Sequence, residues 1–261
     1  DEYVADSIYI GSLVGRYANR IKGGVLPIGE STYELACNRP GIHLHGGNEG
    51  FNKRVWRADT IREEGRLGLQ LSLTSPDGDE GYPGNLEVLV SYFLTDDNEL
   101  IIDYKAETDK QTVVNLTQHS YFNLAGKGDI TGHHIEINSS RYTPVGTDLI
   151  PTGELAPVEG SPFDFRKIRR IGLAMSEGDV QKKTGEGFDH NYVLDTHGDA
   201  GKVAASILHQ ESGRTMEVCT TKPGIQFYTG NFLDGTLKGR GGAPFNKHSA
   251  LCLETQYFPD S

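Results

Sequence analysis

Alternation of apolar and polar residues runs through much of the chain and restricts the available folds more than any other feature. Successive side chains of a strand point to opposite faces of a sheet, so alternation indicates a strand with one buried face. The clearest runs are Leu67, Leu69, Leu71 and Leu73, then Leu86, Val88, Val90, Tyr92 and Leu94. Further strand-like runs cover residues 100–106, 203–208, 216–220, 225–228 and 251–257.

Turn-forming residues separate these runs, as at residues 76–78 and 96–98. The one segment with helical character is short and covers residues 166–175. Many strands at short spacing with almost no helix predict an all-β fold, either an antiparallel β-sandwich or a barrel-like pair of sheets. The 261 residues show no repeat and no break in composition, which favours one domain.

The charge balance limits the partners. The chain carries 36 acidic and 25 basic residues, a formal net charge of −11. Such a surface repels phosphate backbones and anionic lipids, so we expect neither nucleic acid nor membrane surfaces as partners. The three scattered cysteines include no C-x-x-C pair, which argues against a disulfide framework and against a thiolate zinc site.

The sequence favours a cytoplasmic location. It has no apolar run long enough to span a membrane and no recognisable signal peptide. Free buried thiols also fit a reducing compartment. The chain starts at Asp1 rather than at a methionine, however, so secretion followed by removal of a leader stays open as an alternative.

Several familiar catalytic motifs are absent from the sequence, namely the G-x-S-x-G elbow, the Walker loop, H-E-x-x-H, and G-x-G-x-x-G before a helix. Serine hydrolases, P-loop enzymes and nicotinamide dehydrogenases are therefore poor interpretations. Polar residues instead concentrate in five clusters, at residues 15–21, 43–47, 115–123, 187–191 and 253–256. The candidate functional residues lie in these clusters and at Gln226.

His119 lies in the densest polar cluster. In an extended segment Asn115, Thr117, His119 and Tyr121 share one face. A core face would not normally carry so many polar side chains, because each would need a hydrogen-bond partner. The residues alone leave two interpretations open: a wall of a functional site, or a surface strand or satisfied core histidine.

Four other candidates have equally ordinary interpretations. Glu254 shares a strand face with Cys252 and Gln256, where a solvated glutamate is usual. Asp189 follows several glycines, where aspartate commonly caps a turn. A structural ion pair is the common role of an arginine such as Arg20, and Gln226 reads as an ordinary strand residue.

A metal site is a further alternative. His43, His45 and Glu49 give H-x-H-x-x-x-E, which overlaps a cupin metal motif. Two histidines on one strand face with a carboxylate suit iron, manganese or nickel. Trp56 replaces the glycine expected seven positions after the glutamate, so the match is partial.

Taken together, the clusters resemble the aldose 1-epimerase (galactose mutarotase) family. The resemblance follows nearly the whole chain in order, through residues 15–21, 44–47, 75–84, 115–124, 187–191, 226–233 and 253–256. It implies a large antiparallel β-sandwich of the galactose mutarotase type. It also implies a single domain over residues 1–261 that lacks terminal strands at both ends.

The resemblance implies an enzyme that interconverts the α and β anomers of free monosaccharides such as D-galactose and D-glucose, without a metal or another cofactor. His119 would be the acid and Glu254 the base. Sugar hydroxyls would be bound by the matching residues Asn19, Arg20, His45, Asp189 and Gln226, with Ser120 and Tyr121 beside the acid. His43 matches no such position, so the cupin interpretation loses its main support.

Three rival functions remain. Asp189 and Glu254 could form the carboxylate pair of a glycoside hydrolase. The chain could also be a sugar-binding module without catalysis. A sugar-phosphate epimerase would need basic residues around its pocket, and this acidic chain has few clustered arginines.

Overall fold

The computed structural model describes residues 8–261, with the side chain of Arg240 excepted. These residues form nineteen β-strands and two α-helices of six residues each. The strands are β1 (Ser12–Val14), β2 (Arg20–Lys22), β3 (Val25–Ile28), β4 (Ser31–Glu34), β5 (Ile42–Leu44), β6 (Arg57–Glu63), β7 (Arg66–Ser75), β8 (Leu86–Thr95), β9 (Leu100–Thr108), β10 (Thr117–His119), β11 (His134–Ile137), β12 (Arg141–Tyr142), β13 (Ala156–Pro157), β14 (Arg169–Arg170), β15 (Asp189–Val193), β16 (Val203–His209), β17 (Arg214–Cys219), β18 (Gly224–Tyr228) and β19 (Cys252–Gln256). The helices are α1 (Ile171–Ser176) and α2 (Val180–Gly185). The all-β prediction is therefore confirmed.

The chain divides into two compact units. We call Val14–Leu116 the meander unit, and residues 8–13 with Thr117–Ser261 the sandwich unit. Among the described residues, no helix has both the length and the apolar character that a membrane span would need.

The meander unit contains the strands predicted from the leucine alternation. β6, β7, β8 and β9 form an antiparallel sheet in sequence order, in which Leu71 lies opposite Val90 and Val90 opposite Tyr104. In β8 the alternation matches the burial, because Leu86, Val88 and Val90 are buried. The end of the sheet departs from the expected pattern: Leu67 and Leu94 pair with each other and are 57% and 62% exposed.

A buried arginine stabilises the second half of the meander unit. Arg16 is 1% exposed, and its guanidinium donates hydrogen bonds to the carbonyl oxygens of Ser75, Pro83 and Gly84 at 2.9–3.1 Å. The guanidinium carbon Cζ of Arg16 also lies over the ring of Tyr82, 5.3 Å from its centroid. Two of the motifs found in the sequence, residues 15–21 and 75–84, are thus joined by a structural contact.

The sandwich unit contains two antiparallel sheets, in the strand orders β14-β11-β16-β17 and β13-β12-β15-β18-β19. Apolar residues from both sheets belong to one buried cluster, which includes Ile135 and Ile207 from the first sheet and Tyr192, Ile225 and Phe227 from the second. Two sheets that share one core in this way form a β-sandwich. This confirms the sandwich prediction.

The predicted helix over residues 166–175 is wrong in its first half. Residues 169–170 form β14, which pairs with β11, and α1 begins only at Ile171. A second helix, α2, was not predicted. The side chain of Asp179 caps its N-terminus by accepting a hydrogen bond from the Gln181 N–H at 2.7 Å. Lys182, 5% exposed, donates from Nζ to the carbonyl oxygens of Ala174 and Glu177, so α2 is tied to the end of α1.

Candidate active site

The five-stranded sheet of the sandwich unit has one apolar and one polar face. Alternate residues of β15, β18 and β19, such as Tyr192, Phe227 and Leu253, enter the core. The residues between them point the other way. On that polar face lie Asp189, Asn191, Gln226, Cys252, Glu254 and Gln256, all of them buried.

Strand register brings residues from three distant parts of the chain into one row. Asn191 of β15 lies opposite Gln226 of β18, and Gln226 lies opposite Glu254 of β19. Directly opposite residues of antiparallel strands have Cβ atoms roughly 4.5–5.5 Å apart. Asp189, two residues before Asn191, lies on the same face, and Gln256 is two residues after Glu254, so two carboxylates and three amides share this surface.

Hydrogen bonds fix the orientation of the amides in this row. Gln226 donates from Nε2 to Asp189 Oδ1 at 2.7 Å. Gln256 donates from its Nε2 to Gln226 Oε1 and to Asn191 Oδ1, both at 3.2 Å. Each amide therefore presents a defined donor or acceptor before any ligand binds.

His119 lies beside Glu254. The distance from His119 Nε2 to Glu254 Oε2 is 3.6 Å, and the two residues are 5% and 2% exposed. The solvated glutamate expected of an ordinary strand is therefore not observed. A buried imidazole and carboxylate within this distance can exchange protons with a ligand that contacts both.

The segment that carries His119 is held along β19. Phe122 and Leu251 exchange two backbone hydrogen bonds, with N–O distances of 2.7 and 2.9 Å. The rings of Tyr9 and Tyr121 stack on the imidazole of His119, with centroids 5.8 and 5.1 Å away. These contacts restrict rotation of the imidazole.

Cys252 contacts the other ring nitrogen of His119. Its Sγ lies 3.6 Å from His119 Nδ1. Burial raises the pKa of the Cys252 thiol well above its usual value, and the neighbouring carboxylates Glu254 and Asp189 raise it further. The thiol is therefore protonated and uncharged at neutral pH.

Asp189 is placed by a tight turn rather than acting as a turn cap. Gly187 has φ +151°, and a Cβ at this position would lie 2.3 Å from Asn231 Oδ1. The Asn231 side chain donates from Nδ2 to the carbonyl oxygen of Phe188 at 2.9 Å, and Thr229 Oγ1 accepts from the Phe188 N–H at 3.0 Å. This clamp fixes the backbone immediately before Asp189.

The two residues after His119 have separate contacts. The Tyr121 hydroxyl donates to the carbonyl oxygen of Ile8 at 2.9 Å. The Ser120 hydroxyl accepts a hydrogen bond from Gln118 Nε2 at 3.3 Å. Tyr121 thus lies against His119, whereas Ser120 contacts Gln118.

The meander unit brings together its own three predicted residues. Arg20 donates from Nη1 to Asn19 Oδ1 at 3.2 Å, and the Asn19 N–H donates to His45 Nδ1 at 3.1 Å. Because Nδ1 of His45 accepts, a neutral His45 carries its proton on Nε2. Asn19 and His45 both have positive φ, at 65° and 50°, a backbone conformation that is uncommon outside glycine.

His43 has a structural role. Its Nδ1 lies 2.7 Å from the Ala36 carbonyl oxygen and its Nε2 lies 2.6 Å from the Tyr82 hydroxyl. Burial lowers the pKa of His43 below its usual value. Both ring nitrogens of His43 therefore have protein partners, so His43 is not available as the metal ligand that the cupin-like interpretation requires.

Sequence reasoning did not select Cys252, Asn191 or Gln256 as site residues, although they lie on the polar face. All three could have been found, since Cys252 and Gln256 are each two positions from Glu254, and Asn191 is two positions from Asp189, so each shares the face of a predicted residue. Tyr9 had no signal in the sequence, because its contact with His119 depends on the tertiary fold alone.

Comparison with known proteins gives one consistent result. The family model described as aldose 1-epimerase matches residues 1–261. The chain is 49% identical to mouse galactose mutarotase over 261 residues, covering 99% of this chain and 73% of that protein. It is 40% identical to Escherichia coli aldose 1-epimerase over 260 residues, covering 99% and 74%. The crystal structure of galactose 1-epimerase from Lactobacillus acidophilus superposes with a TM-score of 0.88 at 30% identity, covering 99% of this chain and 74% of that one.

Proposed function

The chain belongs to the aldose 1-epimerase family, and from this premise we propose that it interconverts the α and β anomers of free aldohexoses such as D-glucose and D-galactose. It is an isomerase of the mutarotase type. The reaction consists of opening the hemiacetal ring, rotation about C1–C2, and closure on the other face of the aldehyde.

The observation that carries the proposal is the 3.6 Å approach of His119 Nε2 to Glu254 Oε2 in a buried setting. Ring opening requires that the C1 hydroxyl lose a proton while the ring oxygen O5 gains one. Glu254 as a carboxylate would take the first proton, and His119 as an imidazolium would give the second. Closure reverses both transfers, so each residue returns to its starting state and the reaction needs no redox partner.

Asp189 and Gln226 would bind the hydroxyl groups that do not react. A carboxylate accepts strong hydrogen bonds from sugar hydroxyls, and Asp189 is already oriented by Gln226 at 2.7 Å. Holding the rest of the sugar while C1 moves keeps the reacting atoms positioned against the catalytic groups. Such positioning is a large source of rate enhancement.

We assign Asn19, Arg20 and His45 to hydroxyl binding as well. The support is the family resemblance of their motif and the mutual hydrogen bonds that orient the three side chains within the meander unit. Tyr121 is assigned to the surroundings of His119 because their rings stack. Ser120 is assigned there because it is adjacent in sequence.

Polarimetry tests the proposal directly. Freshly dissolved α-D-glucose and α-D-galactose should lose optical rotation faster with the protein than without it. Decay at the spontaneous rate for both sugars would contradict the proposal. Binding of galactose without any change in that rate would identify a sugar-binding module. Release of sugar from an aryl glycoside would instead identify a glycoside hydrolase that uses Asp189 and Glu254.

We also propose a cytoplasmic location. All three cysteines are free, and Cys37 and Cys219 are exposed rather than buried as the sequence suggested. Exposed thiols persist most readily in a reducing compartment. Cell fractionation that recovers the protein in the secreted or periplasmic fraction would contradict this location.

A further inference from the structure

Three buried amide side chains and one carboxylate form a continuous row of hydrogen bonds on the polar face of the sandwich unit. Gln226 donates from Nε2 to Asp189 Oδ1 at 2.7 Å. Gln256 donates from Nε2 to Gln226 Oε1 and to Asn191 Oδ1, both at 3.2 Å. All four side chains belong to residues that are at most 7% exposed. The row therefore connects Gln256, which sequence reasoning did not select, with the carboxylate that we assign to sugar binding.

The carboxylate end of the row fixes the direction of each hydrogen bond. An ionised carboxylate can only accept, so the Gln226 amide must turn its NH2 group toward Asp189. The oxygen of Gln226 then faces Gln256, which must turn its own NH2 group toward Gln226. The other N–H of that group points to Asn191 Oδ1. Rotating any one of the three amides by 180° would bring two donors or two acceptors into contact.

This direction holds even where it leaves a polar atom unpaired. Nδ2 of Asn191 is buried and has no hydrogen-bond partner among the described residues. A rotated Asn191 amide would place that Nδ2 against Gln256 Nε2, where two donors would meet. The orientation of Asn191 therefore follows from that of Gln256.

A glycine gives Gln256 the room to reach this position. Gln256 lies directly opposite Gly224 in the pairing of β18 with β19, and Gln226 is its diagonal neighbour. A Cβ at Gly224 would lie 2.5 Å from Asn191 Oδ1, so a side chain there would displace one of the two acceptors that Gln256 uses. Diagonal neighbours lie within reach of long side chains, and here no side chain stands between them.

We propose that Gln256 is a positioning residue that acts on the sugar through Gln226. It holds the oxygen of the Gln226 amide, so that the NH2 group stays directed at Asp189 and at a sugar hydroxyl beside it. That the hydroxyl belongs to a free sugar rests on the proposed function. The constraint on Gln226 does not, and it can be measured without a sugar.

A fixed NH2 group beside a carboxylate suits the recognition of one hydroxyl. The hydroxyl would donate its proton to Asp189 and accept from the second N–H of Gln226. If Gln226 were held at one end only, sugar binding would carry the entropic cost of ordering its amide. Neither His119 nor Glu254 donates or accepts in the row, so we expect Gln256 to affect sugar binding rather than proton transfer.

Nuclear magnetic resonance of ¹⁵N-labelled protein without sugar tests the constraint. The side-chain NH2 signals of Gln226 and Gln256 are identified as those lost in Gln226→Met and Gln256→Met. In the wild type the Gln226 NH2 group should have an order parameter close to that of rigid backbone, about 0.85. In Gln256→Met it should fall toward the flexible range, below about 0.6. Gln210→Met, at an exposed glutamine, is the matched control and should leave it unchanged.

Two results of this measurement would overturn the proposal. The first is a flexible Gln226 NH2 group in the wild type. The second is an unchanged order parameter in Gln256→Met. Since the substitution leaves the carbonyl oxygens of Gln226 and Asn191 without a donor, urea unfolding is used to check that the variant folds. If it does not fold, the wild-type order parameter still decides.

A double-mutant cycle followed by polarimetry separates positioning from packing. Gln256→Met should raise KM for galactose about fivefold, in line with loss of one hydrogen bond, with little change in kcat. In a Gln226→Met background the same substitution should leave KM unaltered, because no amide remains to be held. Equal rises in KM in both backgrounds would overturn the proposal, as would a fall in kcat at constant KM.

The two sets of measurements distinguish this proposal from the proposed function. An ordered Gln226 NH2 group that becomes flexible in Gln256→Met, in a protein that does not accelerate mutarotation, would refute the proposed function and support the constraint. Mutarotation with a flexible Gln226 NH2 group would support the proposed function and refute the role of Gln256.

Discussion

The Gln226 side chain donates a 2.7 Å hydrogen bond to the Asp189 carboxylate, although the two residues lie 37 positions apart in the sequence. The bond joins neighbouring strands on the polar face, and Gln256 holds the carbonyl end of the same Gln226 amide. Asp189 is thereby oriented before a sugar arrives, which lowers the entropic cost of binding.

Gln226→Glu should weaken sugar binding. The substitution replaces the amide group that donates to Asp189 with a second carboxylate, which cannot donate when it is ionised. Two like charges at this distance also raise the pKa of one of the pair. We expect KM for galactose to rise at least about tenfold, corresponding to the loss of a charged hydrogen bond. Polarimetry at several sugar concentrations measures this. Gln210→Glu, at an exposed position, is the control and should leave KM unchanged.

Glu254→Gln should remove the base while preserving the shape of the site. General acid–base groups commonly contribute about 10²–10⁴-fold to rate, so kcat should fall by that range with little change in KM. Polarimetry with the purified variant measures both constants. Glu217→Gln, on an exposed strand position of the other sheet, should retain wild-type kcat. A Glu254→Gln protein with normal kcat would refute the assignment of the base.

Gly187→Ala should raise KM by displacing Asp189. The new Cβ would lie 2.3 Å from Asn231 Oδ1 and 2.8 Å from Thr229 Oγ1, so the clamp on the Phe188 backbone must shift. The positive φ of 151° adds strain for any residue with a Cβ. Gly178→Ala is the matched control, since nothing lies within 4 Å of the position that its Cβ would take. Equal KM values for the two variants would show that the clamp does not position Asp189.

Arg16→Ala should strongly destabilise the protein. It leaves the buried carbonyl oxygens of Ser75, Pro83 and Gly84 without their donor, and each unsatisfied buried group costs about 1–3 kcal/mol. We expect the free energy of unfolding to fall by at least about 3 kcal/mol in urea titrations. Arg57→Ala, at a side chain that is 78% exposed, should change it by less than about 0.5 kcal/mol. Similar values for both variants would contradict this role of Arg16.

His133 should make the protein less stable in acid. Burial and the neighbouring His209 lower the pKa of His133 from 6.5 to about 4, with His134 acting in the same direction and Asp129 opposing it. The unfolded chain therefore binds more protons than the folded one between pH 6.5 and 4. The stabilisation from neutral His133 is complete above pH 6.5 and decreases as the pH falls toward 4.

Urea unfolding at pH 7.5, 6.5, 5.5 and 4.5 measures this effect. The difference in unfolding free energy between wild type and His133→Gln should shrink over that range, by about 1–3 kcal/mol. His197→Gln, at an exposed histidine, should show a constant difference. A constant difference for His133→Gln as well would show that His133 does not titrate in this window.

The local sequence pattern was sufficient to predict some of the strands but not the bounds of the helix. β7 and β8 follow from alternation, because a strand repeats every two residues whatever it pairs with. The segment 166–175 had helical character, yet Arg169 and Arg170 pair with β11 and the helix starts at Ile171. Backbone pairing with another strand outweighed local propensity there.

By itself the sequence determined the strand pattern, the shared face of Cys252, Glu254 and Gln256, and, through its ordered motifs, the family. Only the tertiary structure placed His119 beside Glu254 and Cys252, since Cys252 is 133 positions from His119 in the chain. Period-two alternation gives the face on which a side chain lies but not which strand lies next to it. The pairing and register of the strands depend on how the two sheets pack around their shared core. That pairing decides which side chains lie close enough together to exchange a proton.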